Sequence, residues 1–173
     1  GMAFAQTNYK VTFTTDQTDI TNVYLCSKED GTVLDSATCQ DGKASFDGKT
    51  NLPQIAAISI DQQAKKPVTL LILDDTPATI VQTSGSTDIN GSPLNRKYSE
   101  IKEKARTYDN QMKKLQIEAR DIAQSHNGNL PDADADRLQQ AFDEAVQGQA
   151  ESIRQALEEN KDNLIPALLI SVY

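Results

Sequence analysis

The 173-residue sequence contains one histidine, two cysteines and no tryptophan. Zinc sites of the usual kind draw on several His or Cys ligands, so the sequence cannot supply one. No glycine-rich phosphate loop is present, and His126 has no acid or nucleophile spaced for a catalytic relay. We therefore predict a non-enzymatic chain with no catalytic residue, no cofactor-binding residue and no metal ligand.

Long apolar runs and an excess of positive charge are also missing. No stretch approaches the roughly 18 to 20 consecutive apolar residues that span a bilayer. Lys and Arg number 17 against 25 Asp and Glu, a net charge of -8, so the average surface repels a phosphate backbone. We expect neither a transmembrane segment nor a nucleic-acid partner.

Cys26 and Cys39 lie thirteen residues apart and form no Cys-x-x-Cys motif. If Asp30-Gly31 is a two-residue hairpin turn, Cys26 lies opposite Asp35 and Cys39 opposite Asn22. The two sulfurs are then too far apart to bridge. We predict free thiols; a structural disulfide and a redox role remain the alternatives.

An acidic stretch, Asp132-Ala-Asp-Ala-Asp136, is similar to the start of a calcium-binding loop, with Asp143 at the twelfth position. Arg137, however, stands at the sixth position, where that loop needs glycine. We interpret these acids as the start of a helix, where carboxylates interact favourably with the helix dipole.

Residues 8 to 91 alternate between apolar and polar side chains and contain frequent turn dipeptides, which is typical of an all-β unit. Asp30-Gly31 and Asp41-Gly42 predict a three-stranded meander. Four aromatic residues are interpreted as core or edge fillers: Tyr9, Phe13, Tyr24 and Phe46. Strands are predicted at 22–28, 32–39, 43–46, 55–60, 68–73 and 78–82.

From Pro93 the apolar residues step by four and three up to Ile122, which is a heptad seam and predicts a helix to Ser125. After the stop signal at 127–131, a second stripe predicts another helix, and the two form an antiparallel hairpin. This second stripe comprises Leu138, Phe142, Ala145, Gln149, Ile153 and Leu157. The heptad pattern leaves open whether the seam pairs within one chain or between chains.

The predicted fold class is α+β: an N-terminal antiparallel β-sandwich or partly open barrel followed by a long antiparallel helical hairpin. The predicted divisions are a β domain at 8–91, the hairpin at 92–162 and a short helix at 163–173, with Pro166 in its first turn. That apolar helix either packs back on the hairpin or is followed by further sequence, and we favour further sequence.

The start of the chain contains Ala3-Phe4-Ala5, the small-x-small pattern that precedes signal peptidase cleavage. We predict that residues 1–7 are a signal-peptide remnant and a disordered start. The mature protein would then begin near Gln6 and lie in the periplasm or cell envelope.

Two groups of residues carry a family resemblance: Asp35-Ser36, Asp41-Gly42-Lys43, Phe46 and Gly48, and then Gly91-Ser92-Pro93-Leu94-Asn95. Their pattern resembles an N-terminal domain family of unknown function. That family is found in thioredoxin-like thiol:disulfide interchange and peroxiredoxin-like envelope proteins of Gram-negative anaerobes.

The resemblance implies a non-catalytic accessory module that interacts with, or positions, a C-terminal redox domain or another envelope protein. Asp35-Ser36-Ala37 also resembles the O-glycosylation site of such bacteria, which makes Ser36 a candidate. The alternative is a stand-alone periplasmic module that binds a glycan or small ligand through aromatic residues. An enzyme would require Cys26 and Cys39 to approach one another.

Overall fold

The computed structural model describes residues 6–62 and 67–172. The predicted signal-peptide remnant and disordered start covers residues 1–7. Residues 1–5 lie outside the described residues, whereas Gln6 and Thr7 are described. Thr7 begins the first strand. Regular structure therefore starts inside the segment that was predicted to be disordered.

Within the described ranges, eight strands form two four-stranded sheets, in the orders β4-β1-β7-β8 and β3-β2-β5-β6. Among these strands every pairing is antiparallel except that of β1 with β7, which is parallel. The two sheets do not close into a barrel, so the predicted α+β class with an N-terminal sandwich is confirmed. The strands are β1 Thr7–Thr15, β2 Asn22–Ser27, β3 Val33–Thr38, β4 Lys43–Thr50, β5 Gln54–Ser59, β6 Pro67–Leu73, β7 Ala78–Gln82 and β8 Thr87–Asn90.

The core of the sandwich follows from alternation along the strands. In β1, Tyr9, Val11 and Phe13 point inward, while Lys10 faces solvent. Phe46 of β4 lies opposite Val11 and is fully buried. The aromatic residues of these strands are core fillers, as predicted. Strands β1 and β8 were absent from the predicted set.

The predicted three-stranded meander is wrong. Asp41 and Gly42 do form a two-residue turn with positive φ angles of 52° and 75°, closed by hydrogen bonds of 2.8 and 2.9 Å between Gln40 and Lys43. Beyond that single bridge, β3 stays with β2 while β4 pairs with β1 in the other sheet. The Asp41-Gly42 turn reverses the direction of the chain, but it does not decide which strand β4 pairs with. Burial of Phe46 opposite Val11 selects β1 as the partner of β4.

The Asp30-Gly31 turn is also longer than predicted. Ser27 N donates to Thr32 O at 2.8 Å and Gly31 N donates to Ser27 O at 2.9 Å, so the loop has four residues rather than two. A register shift follows between Leu25 and Cys26. Cys26 therefore lies opposite Val33, not opposite Asp35.

The sheet containing β2, β5 and β6 is buried on both faces. Cys26, Ala57 and Ile72 alternate with the sandwich core residues, yet they are 0%, 4% and 0% exposed. Helix α3 (Ile165–Val172) packs against β6 with Ile165, Leu168 and Leu169 buried. The C-terminal helix thus helps to cover a sheet face, a contact that the sequence did not predict.

The start of helix α1 (Pro93–Gln124) is tied to the same sheet. Asn95 is fully buried; its side-chain oxygen accepts from Ile72 N and its amide donates to Ile72 O, both at 2.7 Å. Ser92 Oγ donates to Asp74 at 2.8 Å. The Asn95 side chain takes the place of a neighbouring strand along the free edge of β6.

The chain forms two compact units. The first contains the described residues up to Ser99 together with those from Asn160, and the second is Glu100–Glu159. The helical hairpin is therefore inserted, in chain order, between the sandwich strands and α3. Residues 92–99 and 160–162 group with the sandwich, whereas the sequence had assigned them to the hairpin.

In the second unit, α1 and α2 (Asp132–Glu159) form the predicted antiparallel hairpin. Gln149 Nε2 donates to Ala105 O at 2.8 Å and to Asp109 Oδ1 at 2.9 Å. Arg137 pairs with Glu118 at 2.7 Å. The seam thus pairs within one chain, which the heptad pattern had left open. No helix in the described ranges is long and apolar enough to cross a membrane.

Candidate functional site

The two thiols lie at opposite ends of the β2–β3 hairpin. Cys26 is level with Val33 near the loop, whereas Cys39 N donates to Thr21 O at the other end, at 2.7 Å. Six residues of strand separate Val33 from Cys39, which is about 20 Å and well beyond the roughly 7 Å that a disulfide spans. Both cysteines are free. Burial, and then the charge of Asp61, raise the pKa of the Cys26 thiol.

The two cysteines should differ sharply in reactivity. We expect a thiol reagent at pH 8 to modify about one thiol per native chain within minutes, because Cys39 is half-buried and Cys26 is inaccessible. Cys39→Ser should abolish this fast phase and Cys26→Ser should preserve it, with the second thiol appearing only in denaturant. Equal rates for both thiols in the native chain would contradict the assignment.

The Asp35 carboxylate connects the two sheets. It accepts hydrogen bonds from Ser36 N at 2.8 Å and from Asp47 N at 3.2 Å, and a longer one from the Tyr9 hydroxyl at 3.5 Å. Gly48 leaves room for that ring, since a Cβ there would lie 2.5 Å from the Tyr9 oxygen. These motif residues therefore hold the sandwich together, while Ser36 itself is exposed on β3.

Tyr9 should make the sandwich sensitive to alkaline pH. Burial, and then the Asp35 carboxylate, raise the pKa of Tyr9 to about 12 from 10.0. The raised pKa gives stability that is complete below pH 10 and is lost as the pH rises through 12. Relative to Tyr9→Phe, the native chain should lose about 1 kcal/mol of unfolding free energy between pH 8 and pH 11.

Urea unfolding of both chains at several pH values measures this difference. Near pH 7 the two should be nearly equally stable, because the 3.5 Å hydrogen bond to Asp35 is too long to contribute much. If the free energies of unfolding of the native chain and of Tyr9→Phe changed in parallel from pH 8 to pH 11, Tyr9 would have the same pKa in the folded and unfolded chain, and the prediction would be wrong.

An open cavity of about 270 Å³ lies at one end of the sandwich, lined by Thr7, Leu52, Pro53, Asp74, Asp75 and Leu94. Asp74 accepts hydrogen bonds from Ser92 and from Thr76 N. Among the described residues that line it, none is aromatic, and Tyr9, Phe13 and Phe46 are instead inside the core. The described part of the lining therefore offers no aromatic surface of the kind on which sugar rings stack.

His126 and the acidic stretch play structural parts in the hairpin. His126 is exposed, with Nδ1 2.8 Å from Ile122 O and 3.1 Å from Ser125 Oγ at the end of α1. Asp132 and Asp134 lie in the first turn of α2, which confirms the helix-start interpretation. Within residues 6–62 and 67–172, no group of three or more His, Cys, Asp or Glu is placed to hold a metal.

The hairpin carries an apolar stripe beside its seam. The buried seam positions are mostly small: Ala105, Leu138, Ala145 and Ala156. The larger apolar residues of α2 lie at the margin, where Phe142, Ile153 and Leu157 are half-buried and Val146 is 43% exposed. The sequence pattern placed Phe142, Ile153 and Leu157 on the seam. Together with Val146 they are spaced by four, seven and four residues, and they form a separate stripe beside the seam.

Polar and charged residues border this stripe. A groove of about 210 Å³ has Gln116 of α1 on one side and Gln139 and Phe142 of α2 on the other. Gln116 also borders a shallow depression with Lys113, Ile117 and Arg120. We call this side of the hairpin the flank surface: Lys113, Gln116 and Arg120 of α1 with Gln139, Phe142, Asp143, Val146 and Ile153 of α2.

The two helices carry opposite net charge. Helix α1 has eight Lys and Arg against five Asp and Glu, a net +3, whereas α2 has two against eight, a net -6. The flank surface therefore combines apolar side chains with a basic border on one helix and an acidic border on the other. Exposed apolar patches with a polar border are a feature of protein interaction surfaces, and complementary charges at such a border set specificity.

A family model described as "Domain of unknown function (DUF4369)" matches residues 8–98, just over half of the chain. No curated protein and no solved structure matches the chain. The matched region covers the eight strands and the first turns of α1, including Asp35, Gly48 and Asn95. It ends before the second unit, Glu100–Glu159, which carries the flank surface.

Proposed function

The chain belongs to the DUF4369 family of domains of unknown function, and on that premise we propose that it is a non-catalytic interaction module of the bacterial periplasm. In this proposal the sandwich is the scaffold, and the flank surface of the hairpin docks a partner protein. The observation that carries the proposal is the apolar stripe of α2, with Val146 43% exposed between a basic border on α1 and an acidic border on α2.

The non-catalytic part of the proposal is supported by the bonds of the motif residues. Asp35 joins β3 to β4, Asn95 covers the edge of β6, and Ser92 holds Asp74. Each of these polar groups is engaged in the fold, so none is held ready for a substrate. Cys26, the more deeply buried thiol, has its thiolate form disfavoured by burial.

We further propose that the module positions a thioredoxin-like redox domain, either in the same polypeptide or in another envelope protein. The support is the resemblance carried by Asp35-Ser36, Asp41-Gly42-Lys43 and Gly91-Ser92. Periplasmic location is supported by Ala3-Phe4-Ala5, which fits signal peptidase cleavage. The module would hold the redox domain in place without taking part in thiol exchange.

Site-specific photo-crosslinking in cells of the native host tests the docking surface. A photoreactive residue at Val146 should give a discrete protein adduct, whereas the same residue at Thr79, exposed on strand β7, should not. If charge reversal at Lys113 and Arg120 abolishes the Val146 adduct, the partner contacts the flank surface. Equal labelling at Val146 and Thr79 would overturn the proposed surface.

The redox partnership has its own test, the intact mass of the native protein together with the identity of the adduct. An excess of about 15 kDa over this chain, the size of one small further domain, or an adduct that contains a Cys-x-x-Cys domain, is the expected result. A native mass equal to that of this chain, with an adduct that lacks such a domain, would reject the thioredoxin-like partner.

A further inference from the structure

We propose that the flank surface binds a second copy of this chain, paired about a two-fold axis parallel to the helices, so that α1 of each copy packs against α2 of the other. This rests on the proposed function of the flank surface as a docking surface, and it names a second copy of this chain, rather than the redox domain itself, as the partner docked there. The observation behind it is a pair of oppositely charged rows that lie at matching heights along the hairpin.

Each row contains charges of one sign. Arg106, Lys113 and Arg120 recur every seven residues, which is close to two helical turns, and therefore form one exposed row along α1. Asp136 and Asp143 recur at the same spacing on α2 and are also exposed. Rows of this kind beside an apolar stripe set partner choice and orientation in helical bundles.

The heights of the rows follow from the register within the hairpin. Arg137 meets Glu118, and the Tyr108 ring lies so close to Gly148 that a Cβ there would be 2.5 Å from it. Residue 113 is therefore level with residues 142 and 143, and residue 120 with residues 135 and 136.

A two-fold axis parallel to the helices preserves height, so each row meets the opposite row of the other copy. Lys113 of one copy then lies level with Asp143 of the second copy, and Arg120 lies level with Asp136 of the second copy. Each of these two contacts occurs twice in the dimer, and all neighbouring helices are antiparallel, as in an up-down four-helix bundle.

Charge also argues against the other two-fold arrangement. An axis perpendicular to the helices would place α1 against α1 and α2 against α2. Rows of like sign would then face each other, on helices with net charges of +3 and -6. Like-charge contact across an interface disfavours the wrong pairing.

The available area suits a stable dimer. Helices of this length extend about 40 Å, and two helices side by side present a face about 20 Å wide. Such a face covers about 800 Å² per copy, the size of a standard protein interface. Val146, Ile153 and Phe142 supply its apolar part, and the aliphatic stems of Lys113 and Arg120 lie beside them.

Two variants of the full chain, each with one charged row reversed, test whether the partner is a second copy and whether the two-fold axis is parallel to the helices. The basic-row variant carries Lys113→Glu and Arg120→Glu, and the acidic-row variant carries Asp136→Lys and Asp143→Lys. Light scattering coupled to size exclusion at about 100 μM should give twice the 18.9 kDa chain mass for the native protein. Each variant alone should dimerise at least about tenfold more weakly, and their equimolar mixture should recover dimer, seen as heterodimer by native mass spectrometry.

The matched control is Lys104→Glu with Lys114→Glu, which changes the charge equally on the other side of the seam. Lys114 borders a separate groove with Gln111 and Glu144, so this control should remain dimeric. Circular dichroism checks that all variants keep their helices.

A monomeric native chain, or a mixture that stays monomeric while both variants are helical, would overturn the inference. A monomeric chain that still gives a Val146 adduct with another protein would leave the proposed function standing and reject the second copy as partner. If the native chain is dimeric and the control variant dissociates like the row variants, the dimer uses another surface and the inference also fails.

Discussion

Replacing Asn95 by alanine should lower the free energy of unfolding by about 3 kcal/mol, because two backbone groups of Ile72 would lose their partners in a buried site. Both bonds are 2.7 Å long and Asn95 is fully buried, so water cannot replace them without opening the contact. Each unsatisfied buried group costs about 1 to 3 kcal/mol, and the better helix propensity of alanine returns only about half a kcal/mol.

The matched control is Asn90→Ala, which removes the same side chain from an exposed position on strand β8. Its effect should stay within about 0.5 kcal/mol, as for other exposed substitutions. Urea denaturation followed by circular dichroism compares the two. Equal small losses would show that Ile72 finds other hydrogen-bond partners and that Asn95 does not secure the edge of β6.

The second large effect is expected at Gly42. This residue has φ +75°, and a Cβ there would lie 2.4 Å from the backbone oxygen of Thr15. Thr15 N is itself bonded to Gly42 O at 2.8 Å, so the strand cannot move away without breaking that bond. Gly42→Ala should therefore cost about 3 kcal/mol or more, the sum of backbone strain and steric overlap.

Gly31 offers a close control, because it has the same φ of +75° with nothing within 4 Å of an added Cβ. Gly31→Ala should cost only the backbone term, about 1 kcal/mol. Thermal or urea unfolding gives the loss of stability of each variant. The difference between Gly42→Ala and Gly31→Ala is the cost of the steric overlap with Thr15, apart from the backbone strain that both share. Similar losses at Gly31 and Gly42 would mean that the contact with Thr15 relaxes freely.

Local signals in the sequence predict the helical part of this fold well. The apolar steps from Pro93 to Ile122 and the stop at 127–131 lead directly to α1 and α2, because helix hydrogen bonds join residues four apart. The turn at Asp41-Gly42 is equally local. The partition of strands between two sheets depends instead on which distant strand buries Phe46, and no short-range pattern contains that choice.

The candidate surface was only partly visible in the sequence. The seven-residue spacing of Arg106, Lys113 and Arg120 can be read directly, but its position relative to the seam requires the observed register. Phe142, Ile153 and Leu157 fit the seam pattern equally well in the sequence. In the structure Ala145 and Ala156 occupy the centre of the contact and leave the larger side chains at its margin.

The place of α3 in the chain has a consequence for the order of folding. Strand β6 ends at Leu73 and α3 begins at Ile165, so about 90 residues are synthesised between the two elements that contact each other. Whether the chain emerges from the ribosome or from the export machinery, its N-terminal part comes first, so the sheet face with Cys26, Ala57 and Ile72 is present before that cover. Completion of the sandwich fold therefore depends on α3, which follows about 90 residues later.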